Sequence, residues 1–175
     1  MTTYQLDQDH SSITFSVKHM MISKVKGEFR DFTFDVNGEA NDLENASAVV
    51  TIPVASIDTR SKDRDTHLKS ADFFDVEQYP NITYQVTSFK KLSGDEYEVT
   101  GALTIKDVTR TETFQVEYEG SGVDPWGNTR SGFEVDGKVK REDYNLTWNV
   151  ALEAGGVLVG SDVKFQLHLE FIHAK

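Results

Sequence analysis

Apolar and polar residues alternate along almost the whole chain. Ile13, Phe15, Val17 and His19 share one face of a segment whose other face is Thr14, Ser16 and Lys18. Val50, Ile52 and Val54 alternate with Thr51 and Pro53, and the same step runs through Ile82, Tyr84 and Val86. It continues through Tyr97, Val99, Leu103 and Ile105, then Phe114, Val116 and Tyr118, then Phe133, Val135 and Val139. The last segment is the most regular, with Val163, Phe165, Leu167, Leu169 and Phe171 set against Lys164, Gln166, His168 and Glu170. A period of two places successive side chains on opposite faces of a strand, and helical spacing explains none of these runs. The pattern predicts an all-β protein.

The phase slips once. Val25, Gly27 and Phe29 are odd-numbered whereas Phe32, Phe34 and Val36 are even-numbered, so a bulge or sharp strand bend is expected near Arg30–Asp31. Turn residues at Asn37-Gly38, Ser93-Gly94-Asp95, Gly120–Gly122 and Asp124–Asn128 divide the chain into about eight strands. Antiparallel strands with one apolar face must pack as a sandwich or close as a barrel, and closure removes exposed edges. The expectation is a single antiparallel, roughly eight-stranded barrel. Two segments depart from alternation. Residues around 60–70 are polar and predict a short helix or ordered loop crossing outside the barrel, with Leu68, Phe73 and Phe74 turned inward. Residues 142–160 form a long connection, apolar for a loop, in which Leu146, Trp148, Val150, Leu152 and Val157–Val159 could cap the barrel.

Composition narrows the function classes. The 175 residues suit one domain spanning 1–175, and 38% hydrophobic with 27% charged residues is an ordinary globular mixture. A formal charge of −11 argues against non-specific binding to nucleic acid or to anionic membrane surfaces. The absence of cysteine removes disulfides and thiolate chemistry. The beginning MTTYQLDQDH has neither a basic nor an apolar stretch, and the longest apolar run, around Gly155–Gly160, is far shorter than a membrane span. A cytoplasmic protein without stable membrane insertion is expected, although a secreted form with its signal removed would read the same; homodimerisation through an outer strand face is left open.

Candidate chemistry is sparse. The histidines at 10, 19, 67, 168 and 173 show no metal-ligand spacing, and no nucleophile elbow, phosphate loop or dinucleotide fingerprint occurs. No catalytic or metal-binding residue is assigned. His168 lies on the polar phase of its strand and reads as solvated. His19 lies on the apolar phase, where an imidazole is either a satisfied core residue or a polar contact near a barrel mouth. Arg60, Lys62, Arg64, His67 and Lys69 concentrate positive charge in an acidic chain. They form either a solvated face balanced by Asp58, Asp63 and Asp65 or, for Arg60, Arg64 and His67, a contact to a phosphate or quinone head group.

The inward set comprises Phe15, Val17, Phe29, Phe34, Ile52 and Tyr84, then Leu103, Ile105, Phe114 and Val116, then Phe133, Val135, Phe165 and Leu167. Barrels of this size can be filled by side chains or hold one ligand. On periodicity alone a filled core is favoured over a cavity.

Local motifs add a resemblance. Asp9-His10-Ser11-Ser12-Ile13-Thr14-Phe15-Ser16-Val17-Lys18-His19, Val25-Lys26-Gly27-Glu28-Phe29 and Ser56-Ile57-Asp58-Thr59 are followed by Arg64–Ser70, Phe73-Phe74-Asp75 and Tyr79-Pro80. Gly101–Ile105, Val108-Thr109 and Arg141-Glu142-Asp143-Tyr144 complete the series. In this order the chain resembles the YceI-like polyisoprenoid-binding proteins over nearly its whole length. The resemblance implies a lipocalin-like barrel with an elongated cavity for an amphiphilic lipid, a polyprenyl phosphate or quinone-like molecule. It implies no metal, no established reaction and no cofactor beyond the bound lipid. The tail would lie against the inward set together with Leu68, Phe74 and Trp148, and the head group near His19, Arg60 and His67. Asn145 stands where a glycine is common in that family, which puts the loop conformation there in question. An enzyme using His19 on a hydrophobic substrate, or a stress-response module acting through its surface, are the competing readings.

Overall fold

The computed structural model describes residues 3–39, 42–149, 152 and 158–174. Among these residues the chain forms β1 (Thr3–Leu6), β2 (Ser12–His19), β3 (Ser23–Phe29), β4 (Thr33–Glu39), β5 (Asp42–Pro53) and β6 (Ile57–Asp58). These are followed by α1 (Lys62–Lys69), β7 (Asn81–Ser93), β8 (Glu96–Ile105), β9 (Val108–Val123), β10 (Thr129–Lys140) and β11 (Val159–Ala174).

The eleven strands occupy eight positions of one closed antiparallel barrel, because three positions are shared by two strands. β11 pairs with β1 through Phe171–Ala174 and with β2 through Val159–His168, so β1 and β2 succeed each other along one edge. β3 beside β2, and β4 beside β1, fill the next position. β5 beside β4, and β6 beside β3, fill the third. The ring then runs β5-β7-β8-β9-β10-β11 and closes through β1.

The phase slip at Arg30–Asp31 is therefore a strand break rather than a bulge within one strand. Its physical reason is lateral. The three breaks lie next to each other and satisfy each other's polar groups: Gln8 Nε2 donates to Phe32 O at 2.7 Å, Arg30 N donates to Ser56 O at 3.1 Å, and Ser56 Oγ donates to Asp31 O at 3.3 Å. No single interrupted strand could meet its backbone needs alone.

Alternation produces the expected inside and outside. Along β8, Tyr97, Val99, Gly101, Leu103 and Ile105 are buried while their neighbours are half-buried or exposed. At one end Phe171 meets Tyr4, Phe34 and Phe133 at ring-centroid distances of 6.1, 5.9 and 5.9 Å, closing the floor with edge-to-face rings. The other end is covered by α1 and by residues 141–149 after β10.

α1 does not cross the outer wall as expected. Asp63, Arg64, His67 and Leu68 face the interior space, so the helix is part of a lid. Its start is fixed by Ser61, whose hydroxyl accepts from Arg64 N at 3.3 Å, and by Asp63 and Asp65 in the first turn. Leu68 and Phe74 pack against the core and Phe73 is buried within it. The 142–160 connection opens with a 3-10 turn at Arg141–Tyr144, and its Leu146 and Trp148 pack downward. Val150, Gly155, Gly156 and Val157 lie outside the described residues.

Candidate functional site: an apolar cavity with a charged rim

The barrel interior is open, not filled: it holds a cavity of about 640 Å³, within the usual range of small-molecule sites. Two glycines show how the space is kept. A methyl group at Gly137 would stand 2.2 Å from Phe165 Cζ and 2.7 Å from Phe114 Cδ1, and one at Gly27 would stand 2.4 Å from Phe15 Cζ. On these inward phases the missing side chain lets a neighbouring ring lie against the wall. Phe114 and Phe165 meet edge-to-face at 4.9 Å, and Phe15 tilts against Phe29 at 5.4 Å. Rings folded onto the wall leave the axis free, which strand periodicity cannot reveal.

All seventeen residues expected to contact a tail line this cavity. Phe15, Val17, Phe29, Phe34, Ile52 and Tyr84 do so from β2–β7, Leu103, Ile105, Phe114 and Val116 from β8 and β9, and Phe133, Val135, Phe165 and Leu167 from β10 and β11. Leu68, Phe74 and Trp148 face it from the lid. The polar ends of two lining tyrosines turn into the wall: Tyr84 donates to Glu112 O at 2.9 Å and Tyr144 to Glu112 Oε1 at 2.7 Å. Burial holds both phenols well above the usual tyrosine range, with the Glu112 carboxylate adding to it.

Among the described residues, the charged side chains of the lining stand at the lid end. His19 and His67 line the cavity there, together with Asp63, Arg64 and Arg141. Arg60 does not: it is exposed, with a left-handed backbone at φ 65° and its N–H bonded to Asp58 Oδ1 at 2.8 Å. Two residues within the same basic run, Asp63 and Arg64, reach the interior instead, because the helix starts at Lys62 and turns them inward. Arg64 is anchored by Nε to Thr59 Oγ1 at 2.8 Å and by Nη2 to Thr59 O at 2.5 Å, and Thr59 itself is 2% exposed and donates to Asp65. His67 Nε2–H donates to Asp72 Oδ2 at 2.9 Å, and the ring stands edge-on to Phe73 and Trp148.

Arg141 is the residue whose role the sequence did not disclose. It is 4% exposed and its guanidinium donates to four carbonyls: Leu146 at 2.6 Å, Gly160 at 2.8 Å, Trp148 at 2.9 Å and Val159 at 3.1 Å. Burial lowers its pKa, opposed by Glu142. Five fixed donors match a convergent set of carbonyls that no lysine could satisfy together, so Arg141 ties both ends of the lid segment to β10. The only forewarning was its place in the Arg-Glu-Asp-Tyr motif. Beside it, Asn145 adopts φ 61°, the left-handed conformation a glycine would supply. The replacement therefore keeps the turn.

A family model described as YceI-like domain matches residues 4–171. UPF0312 proteins of Staphylococcus aureus and Staphylococcus epidermidis are 44% identical over 172 residues, covering 98% of this chain and 98% of theirs. Among solved structures, Burkholderia cenocepacia BcnA superposes with a TM-score of 0.81 at 27% identity, over 95% of this chain and 99% of that one. A Campylobacter jejuni YCEI protein gives 0.77 at 29% identity, over 90% of each chain. A polyisoprenoid binding domain from Saccharophagus degradans, implicated in plant cell wall breakdown, gives 0.72 at 14% identity over 98% of each, a likeness of fold alone.

Proposed function

The chain belongs to the YceI-like family, and from that premise we propose that it binds a long-chain isoprenoid or similar amphiphilic lipid, for transport, storage or sequestration. The observation that carries this reading is the cavity itself: an apolar space of about 640 Å³ whose charged lining residues, among the described residues, stand at one end. An isoprenoid tail offers only apolar area, and its transfer from water contributes roughly 25 cal/mol per Å² buried. A dry, ring-lined interior adds dispersion contacts without demanding directional bonds. A phosphate or quinone head left at the mouth meets His19, Arg64 and His67, of which Arg64 offers the bidentate geometry suited to phosphate. The description of the Saccharophagus degradans domain as polyisoprenoid binding supports the same ligand class.

Native mass spectrometry of the purified protein, with organic extraction of whatever travels with it, tests this reading. A stoichiometric isoprenoid lipid is the expected result. A protein that is free of lipid, and stays so after incubation with polyprenyl phosphates and quinones, would overturn it.

A further inference from the structure

The wall beside the mouth carries charge opposite to that of the whole chain. The register pairs Lys18 with Lys24 directly across β2 and β3, and places Lys26 opposite Ser16, Ser16 opposite Lys164, and Lys164 opposite Lys138. With Lys140 on the same phase of β10, six of the chain's eighteen cationic residues cover one outer face of four adjacent strands, and all six are exposed. Glu28, Asp136 and Asp162 share this face; Asp162 lies 3.8 Å from Lys138, Glu28 lies 3.7 Å from Arg30, and Asp136 accepts from Gln166 Nε2 at 3.0 Å. Among the described residues, no carboxylate stands within 4 Å of the ammonium groups of Lys18, Lys24, Lys26 or Lys164. Like charges directly opposite on a sheet are unfavourable for folding, so the Lys18–Lys24 pair is not explained by the barrel's own stability.

The hairpin that carries this pair ends in an apolar tip. Met20, Met21 and Ile22 are 42%, 55% and 82% exposed. Ile22 N donates to His19 O at 3.2 Å, closing a two-residue turn with φ 54° at Met20 and 63° at Met21. Such a turn suits the strand twist but favours asparagine and glycine, and a methionine pair holds it at a conformational cost. Met20 N also bonds Leu158 O at 2.8 Å, and His19, Leu158 and Val159 line the cavity, so the tip borders its mouth.

We propose that this hairpin is a membrane-docking tip: Met20, Met21 and Ile22 enter the apolar layer of an anionic bilayer while the lysines behind them meet its phosphate head groups, presenting the mouth to the lipid surface. The proposal rests on the lipid-binding reading for its purpose, though not for its geometry. The occupant follows from complementarity, since flexible apolar side chains backed by lysines match an acyl boundary beneath a negative surface. The net charge of −11 opposes such docking only if it is spread evenly, and the fold segregates it.

Flotation with phosphatidylcholine vesicles, with and without phosphatidylglycerol, tests the proposal on the full chain. A separate assay measures binding of a cyclodextrin-delivered isoprenoid lipid in the absence of vesicles. The wild type is expected to float with the anionic vesicles and to be released by salt. M21S/I22S is expected to lose at least about fivefold of that partitioning and K24E/K26E at least about 25-fold, about fivefold for each lysine at a charged surface, while both bind soluble lipid as the wild type does. Equal partitioning of the variants and the wild type, or no preference for anionic vesicles, overturns the docking tip. Loss of soluble-lipid binding by the wild type with flotation intact overturns the carrier reading and leaves the docking tip standing.

Discussion

The imidazole of His67 stands edge-on to the indole of Trp148, with ring centroids 4.6 Å apart and planes at 88°. Phe73 joins them, 5.0 Å from His67 and 5.4 Å from Trp148. This three-ring contact connects α1 to the segment after β10, so it holds the two halves of the lid together above the cavity. Trp148→Ala is expected to release a bound fluorescent isoprenoid at least about tenfold faster, while aromatic pairs of this kind add only about 1 kcal/mol beyond their burial. Stopped-flow release and a denaturant melt would separate the two effects; an unchanged release rate in a folded variant would show that the lid opens elsewhere.

Arg141 should be far more costly to replace. Its loss strands the carbonyls of Leu146, Trp148 and Gly160 in a half-buried or buried setting and leaves Val159 O only its bond from Asn149. Arg141→Met is expected to destabilise the protein by about 3 kcal/mol, the scale of removing one partner from a buried charged network. Arg141→Lys should recover only part of this, because an ammonium has three donors and no fork. Urea titration of both variants checks the order; equal stabilities for wild type and methionine variant would contradict it.

Gly137 is expected to control the width of the cavity. Gly137→Val places methyl groups where Phe165 and Phe114 now lie. The rings must swing toward the barrel axis, costing about 1–3 kcal/mol as overpacking does and shortening the tail that fits. Competition among isoprenoids of graded length would show the cutoff moving to shorter chains, with no shift expected from the outward Gly122, which has nothing within 4 Å.

The floor end should be acid-sensitive. Arg130 bonds Asp7 at 2.6 Å, Asp124 at 2.8 Å and Glu170 at 2.9 Å, tying β10 to the N-terminal turn, the 124–128 turn and β11. The Arg130 bond, helped by backbone N–H groups of Asn128 and Trp126, lowers Asp124 from 3.8 to about 2, and the same guanidinium lowers Asp7. Depressed carboxylates stabilise the fold fully above their unfolded pKa and lose that contribution as pH falls through the folded value. Stability from this cluster should therefore drop between about pH 4 and 2. His10 has the opposite sign: Asp7 raises its pKa, so its contribution is present in mild acid and lost as pH rises. Arg130→Met is expected to flatten the acid limb of the melting profile below pH 4. An unchanged slope would assign that limb to other carboxylates.

Much of this was legible before any fold was known. Alternation across β2, β8, β10 and β11 assigned the strands and the inward side chains correctly, because a period of two commits a residue to one face wherever that face is buried. The missing alternation at 60–70 marks a helix or an ordered loop in place of a strand, and the helix is what forms. The placement of that helix was not legible, since Leu68 and Phe73 show only that one side is apolar and not which surface it meets.

The sequence by itself determined the strand character, the apolar lining from Phe15 to Leu167 and the resemblance to YceI-like proteins, all of which depend on local order along the chain. Tertiary structure alone decided that Phe114 and Phe165 fold over Gly137 to leave a cavity, that Arg64 rather than Arg60 reaches its rim, and that Arg141 gathers carbonyls from both ends of the lid. It also decided that lysines separated by more than a hundred residues, Lys26 and Lys138 among them, share one face. Each of these is a distance between groups remote in sequence, set by how eight strand positions close into one ring.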